Sequence, residues 1–312
     1  MKDFWHDSFA LFRNQALLSK RMDEKDLQIT DAQLLEHLGL VKDGHILRAG
    51  MMLFYQDPEK WINGAYIKVG YFKSNTDIAY MDEIHGSLIS QAEKVIDLLF
   101  TKYLTANITY EGVTRIETYP FPKAAIREAV YNAIVHKNYA TQIPIQISVY
   151  KDKLYISNDC ILPSGWTVDT LMSKHRSKPF NPNIANGFFR AGLIETWGRG
   201  IEKICEACKE LGADLPFYEL RGNGLRVHFK ALKSALVAHP KSPNRHNVGL
   251  DVGIAYKILE LVVANPKITM VEMAERLGVA KRTIEREVKQ LRETGSIEPI
   301  GSKRFGHWKI NN

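Results

Sequence analysis

Cysteine is scarce. Three residues, Cys160, Cys205 and Cys208, in a chain of 312 are too few for a disulfide framework. Cys205 and Cys208 have CxxC spacing but lie in the helix-like run IEKICEACKEL without a second pair, and read as packing thiols of a reduced intracellular protein. Long apolar runs are also missing, and no stretch comes near the roughly 18 uninterrupted apolar residues that a membrane-spanning helix needs. The opening, MKDFWHDSFALFRN, has charges inside its apolar stretch and no small-residue cleavage site. It does not read as a signal peptide, and a cytoplasmic location without membrane contact is expected. No GK[ST] tripeptide occurs, so a P-loop motor of the helicase kind is not supported. Internal repeats and low-complexity tracts are absent. Residues 1–229 hold 27 basic and 27 acidic residues, so this part has no excess of either charge.

What is present is the composition of a globular protein, 45% hydrophobic and 25% charged, at a length that suits two or three domains. From Lys230 onward stand 15 Lys and Arg against 8 Asp and Glu, so the whole net charge of +7 sits in the last quarter. A basic module for a polyanion, attached to a neutral body, is the organisation this implies. The segment AHPKSPNRHNVG, residues 238–249, lacks an apolar period and reads as the linker between them.

In the body, DAQLLEHLGLV (31–41) reads as a short helix, AGMMLF (49–54) and AYIKVGYFK (65–73) as strands, and 86–103 as a helix. YEGVTRIETY reads as one strand. Pro120 and Pro122 introduce the helix KAAIREAVYNAIVH, whose apolar side runs Ile126, Val130, Ala133, Ile134. PIQISVYKD and KLYISND form a hairpin about Lys151-Asp152. Residues 159–190 read as irregular, a helix follows over about 197–211, and GLRVHF closes the body as a strand. Paired strands among helices indicate a layered α/β (α+β) body with a mixed or antiparallel sheet.

The last 60 residues are the most legible. DVGIAYKILELVVAN is a first helix; Thr269 and Glu272 make a capping box that opens a second; Gly278 breaks the chain. A third helix, KRTIEREVKQLRETG, turns Ile284, Val288 and Leu291 inward and Lys281, Arg282, Arg286, Lys289 and Gln290 outward. SIEPI and HWKI flank GSKRFG as a wing with Lys303 and Arg304 at its tip. This is a winged helix-turn-helix, similar to the DNA-binding domains of bacterial transcription regulators, with Arg282, Thr283 and Arg286 nearest to base edges. Ala280 stands where a Ser or Thr cap is expected, a loss of about 1 kcal/mol. Small winged helices also serve as protein-interaction modules, and the basic outer side weighs toward duplex DNA.

In REAVYNAIVHKNY (127–139), Glu128, Asn132 and His136 stand four apart on one side of a helix, away from its apolar side. Such a row suits a carboxylate that positions water, an amide oxygen on a divalent metal and an imidazole nearby. It equally suits a solvated polar face.

The runs REAVYNAIVHKNY, IQISVYKDKLYISNDCILPSG, RSKPFNPNIANGFFRAGLIETWGRGIEKI and RGNGLRVHF resemble a bacterial family labelled RecG-related or divergent AAA. The resemblance covers residues 30–230. It implies a GHKL-type two-layer α/β sandwich, the ATPase fold of gyrase B and the histidine kinases, with ATP and Mg²⁺ as cofactors. By that resemblance Glu128 positions the hydrolytic water and Asn132 ligates the metal. Gly192, Gly198 and Gly200 let backbone N–H groups approach phosphates, since a Cβ would block that approach. Arg176, Lys178 and Arg199 pair with phosphate oxygens, His136 stands nearby, and Asp159 reaches the adenine amino group. The chain departs from the family at Asn158-Asp159-Cys160-Ile161, where a glycine-rich turn is usual. Family members also carry an AlbA-like domain ahead of the part seen here. The expected domains are 1–112, an α/β segment packing on the core; 113–237, the GHKL-like core; 238–249, the linker; and 250–312, the winged helix. The expected function is a DNA-binding transcription regulator, a homodimer, with a nucleotide-binding or vestigial ATPase domain. A Mg²⁺-dependent ATPase and a protein-interaction scaffold are the alternatives.

Overall fold

The computed structural model describes residues 6–111, 114–195, 197–236, 254, 257–259, 261–293, 296–301 and 306–310. Contacts divide the chain into two units, residues 1–107 with 117–237 and residues 108–116 with 238–312. The elements up to residue 236 begin with α1 (His6–Leu18), α2 (Glu24–Leu27), α3 (Asp31–His37), the short strands β1 (Val41–Lys42) and β2 (His45–Ile46), and α4 (Arg48–Phe54). Next come β3 (Ile67–Phe72), β4 (Ile78–Ile84), α5 (Leu88–Leu98) with a π-helical turn at Leu99–Tyr103, β5 (Asn107–Glu111), β6 (Thr114–Thr118) and α6 (Lys123–His136). The series ends with β7 (Ile145–Val149), β8 (Lys153–Asp159), α7 (Val168–Met172), α8 (Pro182–Arg190), α9 (Gly200–Glu210), β9 (Phe217–Arg221), β10 (Gly224–Lys230) and α10 (Lys233–Leu236).

Strict alternation builds the sheet of the first unit. Ile145, Ile147 and Val149 on β7, Leu154 and Ile156 on β8, and Val227 and Phe229 on β10 are buried on one face. Each such side chain contributes about 1.5–3 kcal/mol by leaving water. The strand order is β4-β3-β7-β8-β10-β9. Only β3 and β7 run parallel, joined by a crossover that contains α5 and α6. Helix α6 packs against α5, α9 and strand β8, and α5 against β4, as a second layer on this sheet. The body is therefore a mixed α/β fold on a six-stranded mixed sheet.

Three local readings are corrected by packing. AGMMLF, read as a strand, is α4: Gly50, Met52, Leu53 and Phe54 are all buried, and the Phe54 ring stacks on Phe9 at 4.3 Å and meets Phe12 edge-on at 5.4 Å. A short apolar run has no period of its own, and burial on several sides favours the helix. YEGVTRIETY is two paired strands, β5 and β6, rather than one. The irregular segment 159–190 contains α7 and α8; Pro182 opens α8, and Ile184, Ala185 and Phe188 are its buried side.

The C-terminal unit has its own core of Ile254, Ile258, Val262, Ile268, Met273, Ala274, Ile284, Val288 and Ile297. Residues 257–259 and 261–264 are helical and precede α11 (Met270–Leu277) and α12 (Lys281–Glu293). Thr269 accepts from the Glu272 N–H at 3.2 Å, and the Glu272 carboxylate accepts from the Thr269 N–H at 2.8 Å, which completes the capping box. Gly278 ends α11 at φ 64°, a left-handed conformation that glycine adopts without a Cβ clash. Strands β11 (Ile297–Ile300) and β12 (His307–Ile310) pair antiparallel, and the Trp308 indole N–H donates to the Ile268 carbonyl at 3.0 Å. The whole linker, residues 238–249, and the wing tip with Lys303 and Arg304 lie outside the described residues.

Candidate functional site

Helix α6 follows its N-cap Pro122, has no glycine, and is buried almost all round, with nine buried residues from Ala125 to Val135. The row of Glu128, Asn132 and His136 is therefore not a solvated face. It lines a cavity of about 350 Å³ in the first unit. Glu128 is 8% exposed, and the Asn132 amide donates to its Oε1 at 3.4 Å. Burial pushes the Glu128 carboxyl above its ordinary range, against the pull of Lys203, Arg127 and the Asn132 hydrogen bond. Burial likewise lowers the His136 imidazole to about 4, with His175 adding to the effect. The C-terminal end of α6 is fixed by Asn181, whose amide donates to the carbonyls of Val135 and Lys137 at 2.8 Å each.

Gly200, at the first turn of α9, faces this row. A Cβ there would lie 2.6 Å from Glu128 Oε1 and 2.8 Å from Asn132 Nδ2. Gly198, at φ 70°, lets the chain cross the backbone of His175, whose carbonyl oxygen would stand 2.4 Å from an added Cβ. Lys178 also lines the cavity. Four expected residues do not. Asp159 points to the opposite face of the sheet, because strand parity puts Leu154, Ile156 and Asn158 on the buried side, and the cavity is lined by Asn158 instead. Gly192 ends α8 and packs against Ser19, whose Cβ would meet an added Cβ at 2.1 Å. Arg199 is exposed and pairs with Glu202 at 3.1 Å, and Arg176 is exposed outside the lining. The sequence reading missed Asn158, which alternation from Leu154 identifies, and Trp166, whose indole meets His175 at 4.5 Å and stands 5.7 Å from Lys178 Nζ.

The cavity combines apolar walls, among them Ile156, Leu162, Trp166, Leu171, Ile201 and Val227, with a few convergent polar groups. Its charges are the carboxylates of Glu128 and Glu195 and the ammonium of Lys178. Glu195 is held by Arg21 at 2.8 Å and Lys203 at 3.4 Å. A polyanion beside Glu128 therefore requires added positive charge. Among the described residues no cluster of three His, Cys, Asp or Glu is built to hold a metal by itself. One amide and one carboxylate fit Mg²⁺, which typically takes one or two protein ligands plus substrate phosphates. The missing side chain at Gly200 lets the first turn of α9 approach both groups closely.

In the C-terminal unit, Lys281, Arg282, Arg286, Lys289 and Gln290 are exposed along α12, and Thr283 is half-buried. Arg292 adds a further exposed cation that the reading of the outer side left out. Carboxylates temper this side: Lys281 pairs with Glu285 at 3.4 Å, Arg286 with the buried Glu287 at 3.1 Å, and Lys289 with Glu293 at 3.8 Å.

Two stretches of the chain match known protein families. Residues 143–229 match the family described as "Putative ATP-dependent DNA helicase recG C-terminal". Residues 253–298 match the family described as "Winged helix-turn-helix DNA-binding". A crystal structure of the DIP2311 protein from Corynebacterium diphtheriae is similar with a TM-score of 0.61 at 20% identity, a likeness of fold. That similarity covers 100% of this chain and 62% of the other, so the chain spans less than two thirds of its length. No curated protein matches the chain. Among the described residues no helix is long and apolar enough to cross a membrane. The chain thus carries a RecG C-terminal-like, ATPase-type domain and, after it, a C-terminal winged helix-turn-helix of the DNA-binding kind.

Proposed function

We propose that the protein is a DNA-binding transcription regulator, acting as a homodimer on duplex DNA, whose body takes an adenine nucleotide with Mg²⁺ in the α6 cavity. The observation that carries the nucleotide part is the buried Glu128–Asn132 pair lining the cavity, with the first turn of α9 brought into close approach at Gly200. Asn132 turns its amide N–H toward Glu128, which leaves its carbonyl oxygen for the cation. Mg²⁺, when bound, supplies the positive charge that phosphate oxygens need beside Glu128. The N-terminal turn of α9, Gly200 and Ile201, lines the same cavity, and a helix start favours an anion. The apolar walls suit the base, with Asn158 in the position for which Asp159 was expected.

Calorimetric titration of the chain with a non-hydrolysable ATP analogue and Mg²⁺ tests this. Micromolar binding that Asn132→Ala removes supports the reading, and no heat at millimolar analogue in folded protein ends it. Duplex affinity that is identical with and without saturating nucleotide would remove the regulatory link while leaving each site in place.

The raised carboxyl of Glu128 favours a second reading, a Mg²⁺-dependent ATPase in which Glu128 orients a water and accepts its proton. Phosphate release unchanged in Glu128→Ala would end that reading. Helicase activity, named in the description of the matched family, is not proposed for this chain, because no GK[ST] motif is present.

A further inference from the structure

The cavity uses one side of the sheet; the other side carries a row of rings that no part of the reading above employs. Phe72 of β3 stacks on Tyr150, the residue after β7, with centroids 5.1 Å apart. Tyr150 meets Tyr155 of β8 edge-on at 5.6 Å, and Tyr155 meets His228 of β10 at 4.3 Å. His228 meets Phe217 of β9 at 5.4 Å, and Phe217 is 61% exposed. One line of five rings thus crosses five adjacent strands. Gly70 makes room for it, since a Cβ there would stand 2.9 Å from the Phe72 ring.

The groups between the rings are polar and mostly cationic. On β8, β10 and β9 the outward positions hold Lys153, Arg221, Arg226 and Lys230 against two carboxylates, Asp159 and Glu219. Lys153 Nζ lies 4.8 Å from the Tyr150 centroid, and the Arg226 guanidinium 5.5 Å from that of Tyr155. Glu219 alone serves Arg221 at 3.0 Å, Arg226 at 3.5 Å and His228 at 2.9 Å. Lys230 reaches Asp214 at 3.4 Å, both well exposed. Beside the rings, Gln146, Ser157, Arg221 and Arg226 help to line a hollow of about 170 Å³. No aliphatic side chain points outward from β3, β7, β8, β10 or β9, and the edge strand β4 adds Ile78 and Met81, each about half exposed, opposite Phe72 and Gly70.

A protein-docking face is centred on apolar side chains with few charges. Rings interleaved with cations over five strands, with aliphatics confined to the β4 edge, match instead the needs of unpaired bases, which stack on aromatic rings while cations track the phosphates. Cross-strand ring pairs also stabilise a sheet, but that role does not call for the surplus of cations. The winged helix in the same chain makes DNA the polymer at hand. We infer that the open face of the sheet binds single-stranded DNA. The inference is independent of the cavity's ligand and of duplex recognition by α12.

Fluorescence anisotropy of the full chain with labelled oligo(dT) of about 15 nucleotides tests it. The expected result is binding that weakens as salt rises, falls about tenfold in Tyr155→Leu, and loses about one unit of salt slope in Lys153→Glu, with duplex affinity unchanged in both. Circular dichroism establishes that the variants fold, and Phe217→Ala, which truncates an exposed edge residue, gives the same direction of loss without touching the core. Absence of binding at low salt overturns the inference. Affinity kept in Tyr155→Leu but lost in Arg282→Ala with Arg286→Ala assigns the binding to the winged helix and also overturns it. Tighter binding of oligo(rU) gives the face to RNA, and a dimer that Phe217→Ala dissolves gives it to a second copy; either result ends the proposal.

Discussion

The polar groups that matter in the body are few and buried, whereas those on α12 are many and exposed. Glu128 is 8% exposed beside a helix end that tolerates no Cβ, while Lys281 and Lys289 keep 59% and 77% of their side chains in solvent. Burial raises the worth of each group, because an unpartnered polar atom costs far more away from water than in it. Exposure spreads the worth over a charge field that salt can screen. The same chain therefore contains one site that a single atom can destroy and one that degrades by degrees.

The largest expected effect is at Gly200. Gly200→Val places carbon against Glu128 Oε1 and Asn132 Nδ2, so titration with the ATP analogue and Mg²⁺ should show a loss of about a hundredfold or more. Duplex affinity should stay unchanged. A loss of only a few-fold would mean that the polar row is not where the ligand sits, and the contrast with α12 would fail.

How far the two regions were legible follows from the range of their determinants. The capping box at Thr269, the Gly278 stop and the Ile284–Val288 period are local, and the winged helix could be read from them. The Glu128–Asn132–His136 spacing was equally visible, yet spacing cannot say whether a helix face is wet; the walls come from Ile156, Trp166 and Val227, distant in sequence. Asp159 was misplaced because a motif position was followed rather than the parity set by Leu154 and Ile156. Strand β4 was missed because four of its residues, Ile78 to Met81, are exposed and show no alternation. Helix α4 was misread because its partners Phe9 and Phe12 lie in α1, a helix that the reading did not identify.

Next in size is the graded site. Arg282→Ala with Arg286→Ala should weaken duplex binding by about tenfold to thirtyfold and lower the salt slope by about two, one for each phosphate left without its cation. Arg286 is partly engaged by Glu287, so Arg282 should carry the larger share. A loss that does not depend on salt would place these residues on bases or on a protein partner. Either outcome sharpens what exposure means at this surface.

Acid should separate the units. His136 is held at about 4 against an ordinary 6.5, so the unfolded chain takes up a proton in that interval and the native body does not. Stability of the body therefore falls as pH drops from 6.5 toward 4, by about 1–2 kcal/mol once partial exposure is allowed for. Glu128 acts in the opposite sense. Its raised carboxyl favours the protonated native state, so the body loses stability as pH rises above 4.5. His136→Gln should flatten the acid limb, and Glu128→Gln should raise stability at neutral pH, both followed by urea titration at several pH values. In the winged helix, Glu272 is held below 4.5 by the Thr269 N–H and hydroxyl, so its contribution persists until the pH falls further.

The smallest effects fall on the helix ends of the winged module. Thr269→Ala removes one half of the capping box and should cost that unit about 1 kcal/mol, with the body's transition unmoved. Ala280→Ser supplies the side-chain oxygen that α12 lacks at its start and should return a similar amount. Because the two changes act at the starts of two different helices of one small core, combining them should nearly restore the parent melting temperature of that unit. The combination also tests the division between the units, since calorimetry should show one transition moving while the other stays. Two transitions that shift together would show that the winged helix does not unfold on its own. The graded and the all-or-none sites would then share one cooperative fold, and nucleotide in the cavity would stabilise the DNA-binding module by mass action alone.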